Sequence, residues 1–212
     1  IIDVGFYSNY TAILNPLANV LKQAMTAVQS SVGDLLVEKD RQKSFQVFKR
    51  LELINFWLYT VASVCAFYSI QNFIVLWLGE RYLFNEKTIF WLSLNFWQTG
   101  MRNVLAVFKG AAGIYYEDRY VPLAESLINI MASIVLTLNF GIAGILMGTF
   151  ISSLCLFFYS YPLLVYKKVL GQRVVDYLKS LVGFALEWIG CIMMGGIISK
   201  QYDRMGLIQS QS

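Results

Sequence analysis

The sequence predicts an all-α protein, a polytopic transmembrane bundle of about six spans that forms a single domain over residues 1–212. Composition is the first reason, because 57% of the residues are hydrophobic and only 14% are charged, against about 25% charged in soluble proteins. The second reason is that apolar residues fall in runs near the roughly 20 residues that cross a hydrocarbon core. The third is an uneven distribution of Lys and Arg between the connecting loops. The predicted spans lie near residues 6–37, 51–78, 89–110, 122–138, 142–166 and 178–198.

The first span has one polar side. At about 100° per residue, seven polar or small residues fall within roughly 80° of one another on a helical wheel: Ser8, Asn15, Asn19, Lys22, Thr26, Ser30 and Gly33. Pro16 interrupts this span, removes a backbone hydrogen bond and favours a kink. Because a freed carbonyl group inside a membrane needs a polar neighbour or cavity water, we expect this helix to line a water-filled path.

The third span carries another polar stripe. Four residues of this stripe share one side of the helical wheel: Asn95, Thr99, Arg102 and Lys109. Gln98 lies beside them. A charged side chain at the centre of a membrane helix costs roughly 2.5 to 3.5 kcal/mol on insertion scales. Lys22 and Arg102 are therefore expected to face a cavity or a partner. Substrate contact, a structural ion pair and snorkelling to an interface stay open for both residues.

The fourth and fifth spans are expected to form an antiparallel hairpin, since only Asn139, Phe140 and Gly141 separate them and glycine tolerates a positive φ. Glu125, Asn129 and Ser133 share one side of the fourth span. The fifth span has small residues at Gly144 and Gly148, which suit either close helix packing or a helix that slides during transport. On the sixth span Glu187 is isolated, so it is protonated, paired with a segment outside this chain, or peripheral.

Charge predicts the orientation. With alternating spans, eleven Lys and Arg residues fall in one set of loops and four in the other. The positive-inside rule then places the ends of the first, third and fifth spans in the cytoplasm and both chain termini outside. The chain begins Ile-Ile-Asp, with neither an initiator methionine nor a basic leader region, so we expect it to be a piece of a longer protein.

Residue types also exclude several classes of site. Histidine is absent, which excludes a histidine metal site or proton relay in this chain. No converging set of carboxylates is evident, and we expect no metal and no cofactor. No basic patch interleaved with exposed aromatic residues exists, so nucleic acid is not an expected partner. Amides, hydroxyls and a few cations on facing helices suit a glycan with a phosphate linker, because amides bind hydroxyl groups and Lys or Arg binds phosphate oxygens.

Two stretches resemble the polysaccharide flippases of the O-antigen and capsule type, within the multidrug/oligosaccharidyl-lipid/polysaccharide (MOP) exporter superfamily. One stretch is YYEDRYVPLAESLINIMASIVLTLNFGIAGILMGTFIS, residues 115–152. The other is VGFYSNYTAILNPLANVLKQAMTAVQSSVGDLLVEKD, residues 4–40, which looks like the polar span that opens the family's second lobe. Together they cover roughly a third of the chain directly, and the order of spans fits across nearly all of it.

The resemblance implies a two-lobed transporter that works by alternating access, of which this chain would be most of the C-terminal lobe. It implies that an undecaprenyl-pyrophosphate-linked oligosaccharide is moved across the bacterial cytoplasmic membrane, without covalent chemistry, as a step of surface polysaccharide biosynthesis. The lipid bilayer and the lipid-linked oligosaccharide are then partners, and H⁺ or Na⁺ is the candidate coupling ion. The family's polar cavity positions match Asn15, Asn19, Lys22 and Gln23 here, whereas Asn95, Gln98, Arg102 and Asn129 enter the predicted substrate path from their own spans.

Three other functions stay open. A multidrug exporter of the same superfamily would favour an apolar cavity with a buried carboxylate. A membrane-embedded glycan polymerase or glycosyltransferase needs catalytic carboxylates or a general base, commonly on a sizeable loop, and the longest loops here have about a dozen residues. A non-transporting membrane subunit would pack its polar stripes tightly and leave no solvent-filled groove.

Overall fold

The computed structural model describes residues 2–209, and it contains helices and no strand within that range. The predicted all-α class is therefore confirmed. The helices in chain order are α1 Ile2–Thr26, α2 Gln29–Val37, α3 Arg41–Leu78, α4 Glu86–Ala111, α5 Val121–Phe140, α6 Ile142–Cys155 and α7 Val174–Gln209. A single 3₁₀ turn, Glu80–Tyr82, follows α3, and a π-helical segment, Leu156–Val169, continues α6.

Four helical stretches in the described range are long and apolar enough to cross a membrane: Arg41–Leu78, Val121–Phe140, Ile142–Val169 and Val174–Ser199. They correspond to the second, fourth, fifth and sixth predicted spans. The helices α1 and α4, with 25 and 26 residues, also exceed the roughly 20 residues needed to cross a bilayer. Polar stripes lower their hydropathy, so composition supports four of the six predicted spans as membrane-crossing.

The predicted first span, near residues 6–37, consists of two helices in the structure. The chain is helical through Pro16, and a break lies at Ala27 and Val28, between α1 and α2. Val28 precedes α2 without a side-chain cap. The second helix packs on α4, where Gln29 lies close enough that its Nε2 would be 2.8 Å from a Cβ atom added at Gly110. Tertiary packing, and not a local breaker, therefore separates the two helices.

Other helix limits differ from the predicted spans because capping residues lie outside the apolar runs. The third helix begins at Arg41 and not near residue 51, since the Asp40 carboxylate accepts hydrogen bonds from the backbone N–H groups of Gln42 and Lys43, both at 3.0 Å. In the same way, the Asn85 side chain caps α4 by accepting from the Thr88 N–H at 2.7 Å. The fifth span is not one regular α-helix, because it turns π-helical after Cys155.

The predicted hairpin of α5 and α6 is confirmed. Gly141 ends α5 with a φ of 57°, and its N–H donates to the Thr137 carbonyl at 2.9 Å. A Cβ atom at Gly144 would lie 2.4 Å from the backbone carbonyl of Leu136, and one at Gly148 would lie 2.3 Å from Ser133 Oγ. Backbone approach this close requires glycine, which supports packing as the role of these residues.

The core lies where α3, α4 and α7 meet, and it is rich in aromatic side chains. Trp97 and Trp188 stack with ring centroids 5.4 Å apart, and Phe56 packs edge-on against Trp97. All three are buried. Hydrogen bonds from the indole N–H groups to Thr60 Oγ1 and Ser63 Oγ, at 3.1 and 2.7 Å, satisfy both tryptophans.

Contacts between loops agree with alternating helix directions. Lys168 forms an ion pair with Glu117, and Gly171 lies against the Arg41 side chain, so the loops that follow α2, α4 and the π-helical segment meet at one end. We call this the basic end of the bundle, because the Lys-rich and Arg-rich loops gather there. The start of α1 lies at the other end, where the Tyr10 hydroxyl contacts the 3₁₀ turn through the Tyr82 carbonyl at 3.2 Å.

Candidate functional site

A groove of about 470 Å³ lies between α1, α4 and α6, within the roughly 300 to 1,000 Å³ typical of ligand sites. We call it the polar groove, because ten of its lining residues carry amide, hydroxyl or ammonium groups. These are Tyr7, Thr11, Asn15, Asn19, Lys22, Tyr59, Asn95, Thr99, Asn103 and Thr149. The apolar remainder consists of Leu14, Ala18, Leu92, Phe96 and Leu146.

The α1 wall is the polar stripe of the first predicted span. Asn15, Asn19 and Lys22 are spaced by four and three residues, so they project from one side of the helix, and all three are exposed. Among the side chains that the structure describes, the Lys22 ammonium group pairs with no carboxylate. The groove therefore contains an unneutralised cation that can bind an anionic group.

The α4 wall presents Asn95, Thr99 and Asn103, also at helical spacing. Asn95 is held in place because its Nδ2 donates to the carbonyls of Trp91 and Leu146, both at 2.9 Å. The second of these bonds ties α4 to α6. Its Oδ1 is buried and has no hydrogen-bond partner within residues 2–209.

Tyr59 of α3 forms the floor of the groove, and the sequence did not point to it. Its hydroxyl donates to the Ala18 carbonyl at 3.2 Å and accepts from Asn103 Nδ2 at 2.8 Å, so one side chain joins α1, α3 and α4. The ring lies directly on Gly100, where an added Cβ atom would be 2.0 Å from Tyr59 Cδ1. Gly100 also accepts a hydrogen bond through its carbonyl from Asn55 Nδ2 at 3.0 Å.

Of the predicted substrate-path residues, the structure brings Asn15, Asn19, Lys22 and Asn95 together in the groove. Gln23 is exposed on α1 and does not line it, and the proposed kink residue Pro16 is exposed on the same helix. Gln98 is buried and points toward the Phe150 carbonyl of α6, at a weak 3.5 Å.

Arg102 and Asn129 have partners on other helices. The Arg102 guanidinium donates to both carboxylate oxygens of Glu125, at 3.0 and 3.4 Å, which matches the ion-pair alternative left open above. Asn129 Nδ2 lies between α5 and α6, at 3.3 Å from Thr149 Oγ1 and 3.1 Å from Ser152 Oγ. These residues join helices and do not line the groove.

Several charged groups near the basic end are also paired. Lys109 contacts the buried Asp118, and Lys49 donates to Glu52 at 2.8 Å. On the loop that follows α4, the hydrogen bond from Lys168 holds the pKa of the Glu117 carboxyl below its ordinary value. Glu187 is exposed on α7, outside the groove lining.

The groove has the chemistry of a binding site for a hydroxyl-rich ligand. Asparagine amides both donate and accept hydrogen bonds, threonine hydroxyls do the same, and Lys22 supplies one positive charge. Its lining within the described part of the chain holds no carboxylate and no thiol. Comparisons with family models, curated proteins and solved structures find no match to this chain.

Proposed function

We propose that this chain forms one wall of a transporter that moves a lipid-linked oligosaccharide, carried on undecaprenyl pyrophosphate, across the bacterial cytoplasmic membrane by alternating access. The observation that supports this proposal most is the polar groove. Polar side chains in a membrane helix are costly and usually face a partner or a cavity. Here many of them face one cavity, and their groups are the ones that bind sugar hydroxyls.

The length of the groove supports an extended substrate. It runs along α1 from Tyr7 to Lys22, and at 1.5 Å per residue this is about 22 Å. A small inorganic ion would need only a compact set of carboxylate or carbonyl ligands. Amides and hydroxyls repeated over several helical turns instead suit a chain of sugar units that binds through many weak hydrogen bonds.

The position of Lys22 supports contact with the linker phosphates. It lies at the end of the lining that faces the basic end, while the neutral Thr11, Asn15 and Asn19 lie farther from it along α1. An anionic pyrophosphate would then bind near Lys22, with the uncharged sugars along the amide-rich part. A drug exporter of the same superfamily is the alternative, and it would favour an apolar cavity with a buried carboxylate.

The test is glycan export in cells that depend on the full-length protein. Lys22→Ala removes one charge-assisted hydrogen bond, worth about 2 kcal/mol, and is expected to lower export about 30-fold at unchanged membrane abundance. Lys22→Arg should keep most of the activity, since the charge is kept. Lys179→Ala, which removes an exposed lysine of α7, is the matched control.

A second pair of variants tests the amide wall. Asn19→Leu is expected to lower export, whereas Asn9→Leu on the same helix, outside the groove lining, should not. Normal export by Lys22→Ala and Asn19→Leu at normal abundance would refute the proposed path. Export of cationic drugs in place of glycan would favour the alternative.

A further inference from the structure

A second cavity lies between α3, α4 and α7, at the end of the bundle that carries the 3₁₀ turn, and it shares no lining residue with the polar groove. It consists of two adjoining lobes of about 440 and 580 Å³, and residues such as Tyr68, Glu86 and Gly196 line both. We call it the α7 pocket. Each lobe is large enough for a small polar headgroup with adjoining hydrocarbon.

Four aromatic side chains line the α7 pocket, and one of them is anchored to α7. Phe67 and Tyr68 come from α3, and Phe90 and Trp91 come from α4. The Tyr68 hydroxyl donates to the Ile192 carbonyl of α7 at 2.5 Å. Gly195 allows this approach, because a Cβ atom there would lie 2.5 Å from Tyr68 Cε2. Aromatic rings in a cavity wall attract a ligand cation that lies over their faces.

Two acceptors and one cation stand out among the polar groups of the pocket, which also include the hydroxyls of Tyr68 and Ser199. Glu86 and Lys87, both exposed on the first turn of α4, line it, and neither forms an ion pair within the described residues. Gln71 lines the larger lobe, and its Oε1 is buried with no hydrogen-bond partner in the described part of the chain. An acceptor in that state favours a ligand that brings an N–H or O–H donor.

We propose that the α7 pocket binds a phospholipid whose zwitterionic headgroup carries a primary ammonium, of the phosphatidylethanolamine type. Its ammonium group donates to the Glu86 carboxylate and Gln71 Oε1 beside the aromatic faces, and Lys87 contacts the phosphate. The upper part of the acyl chains lies on Ile192 and Met193. This inference depends on the protein residing in a membrane, and it does not depend on glycan transport.

Hydrogen bonding distinguishes this headgroup from its methylated relatives. A trimethylated ammonium keeps the positive charge and its attraction to aromatic faces but has no N–H group. With such a headgroup, Gln71 Oε1 would stay unpaired and Glu86 would contact methyl groups. The pocket should therefore prefer phosphatidylethanolamine to phosphatidylcholine, and each added N-methyl group should weaken binding.

The test measures lipids retained by the purified full-length protein after extraction from bilayers of equal parts phosphatidylethanolamine and phosphatidylcholine, by native mass spectrometry. Wild type is expected to retain the ethanolamine lipid about fivefold over the choline lipid. Gln71→Leu should bring this ratio close to one, and Glu86→Gln should lower it in part, because its amide oxygen still accepts a hydrogen bond but without the negative charge. Glu80→Gln is the matched control, because Glu80 is an exposed carboxylate on the 3₁₀ turn at the same end, outside the pocket lining.

Three results would overturn the proposal. One is equal retention of the two lipids by wild type, which would indicate that the retained lipids are unselected bilayer lipids and not a ligand bound in the pocket. Another is an equal loss of preference in Glu80→Gln. The third is binding that stays constant or rises along the N-methylated series, which indicates aromatic recognition of charge without hydrogen bonds. Since Glu86 is exposed, Glu86→Gln keeps the test valid even where Gln71→Leu impairs folding. Because this test does not measure glycan export, a failure of the lipid proposal can be distinguished from a failure of the proposed transport function.

Discussion

Gly100→Ala is the most direct test of how the floor of the polar groove is built. The added methyl group would lie 2.0 to 2.4 Å from three atoms of the Tyr59 ring, whereas carbon atoms in contact are about 3.5 Å apart or more. The ring must therefore move by more than about 1 Å. Its hydroxyl would then lose its bonds to the Ala18 carbonyl and Asn103 Nδ2.

The expected cost follows from these contacts. Each lost hydrogen bond contributes about 1 kcal/mol, and overpacking a close helix contact costs about 2 kcal/mol. Alanine recovers about 1 kcal/mol, because it is a better helix former than glycine. We expect the free energy of unfolding to fall by about 3 kcal/mol, which corresponds to a Tm lower by about 6 to 12 °C in a chain of this size.

The assay is thermal unfolding of the protein in detergent, compared with Gly183→Ala. Gly183 is inside α7 and has no heavy atom within 4 Å of an added Cβ position, so this control should leave the Tm unchanged or raise it slightly. Tyr59→Ala removes the obstructing ring, and Gly100→Ala should cost almost nothing more in that background. An equal cost of Gly100→Ala with and without the Tyr59 ring would refute the reasoning.

Two further predictions concern ion pairs. Arg102→Met leaves the Glu125 carboxylate without its partner and should lower the free energy of unfolding by about 3 kcal/mol. The double variant with Glu125→Leu should recover part of this loss. Strictly additive Tm losses of the two single variants would contradict this coupling. The Lys168 contact lowers the pKa of Glu117, so the contact is present above the ordinary carboxyl pKa and lost as pH falls through the lowered one. Hydrogen exchange of the loop at residues 112–120, corrected for its intrinsic pH dependence, should thus rise only at strongly acidic pH in wild type. In Lys168→Gln it should be elevated already at neutral pH, and identical profiles would exclude the contact as the cause.

Local signals predicted part of the fold well. The hairpin follows from Gly141, because glycine adopts the positive φ of this turn without steric cost. The start of α3 at Arg41 also had a local signal in Asp40, but a span bounded by apolar residues overlooks caps that lie beyond the hydrocarbon. The break at Ala27 and Val28 has no such signal, because no glycine or proline lies there. It depends on how α2 packs against α4, which a single sequence does not encode locally.

The residues of the polar groove also fall into those that the sequence predicts locally and those that depend on packing between helices. Helical periodicity was enough to predict the α1 wall, since Asn15, Asn19 and Lys22 share a face whatever α1 packs against. Tyr59 could not be found by this argument, because it lies in an apolar run and its role depends on Gly100 of another helix. Arg102 had three open interpretations until packing placed Glu125 beside it. A polar stripe depends only on residue spacing within one helix, whereas a contact between helices depends on residues far apart in the sequence.

The partners of α5 have a consequence for how the chain enters the membrane during synthesis. Val121 is the only buried residue of α5 among those described, yet the helix carries Glu125 and Asn129. A translocon that released α5 alone would expose both polar groups to lipid, at a cost of several kcal/mol. Arg102 on the preceding helix and Ser152 on the following one remove that cost. We therefore expect α4, α5 and α6 to leave the translocon together, with α5 retained until its neighbours on both sides have been made.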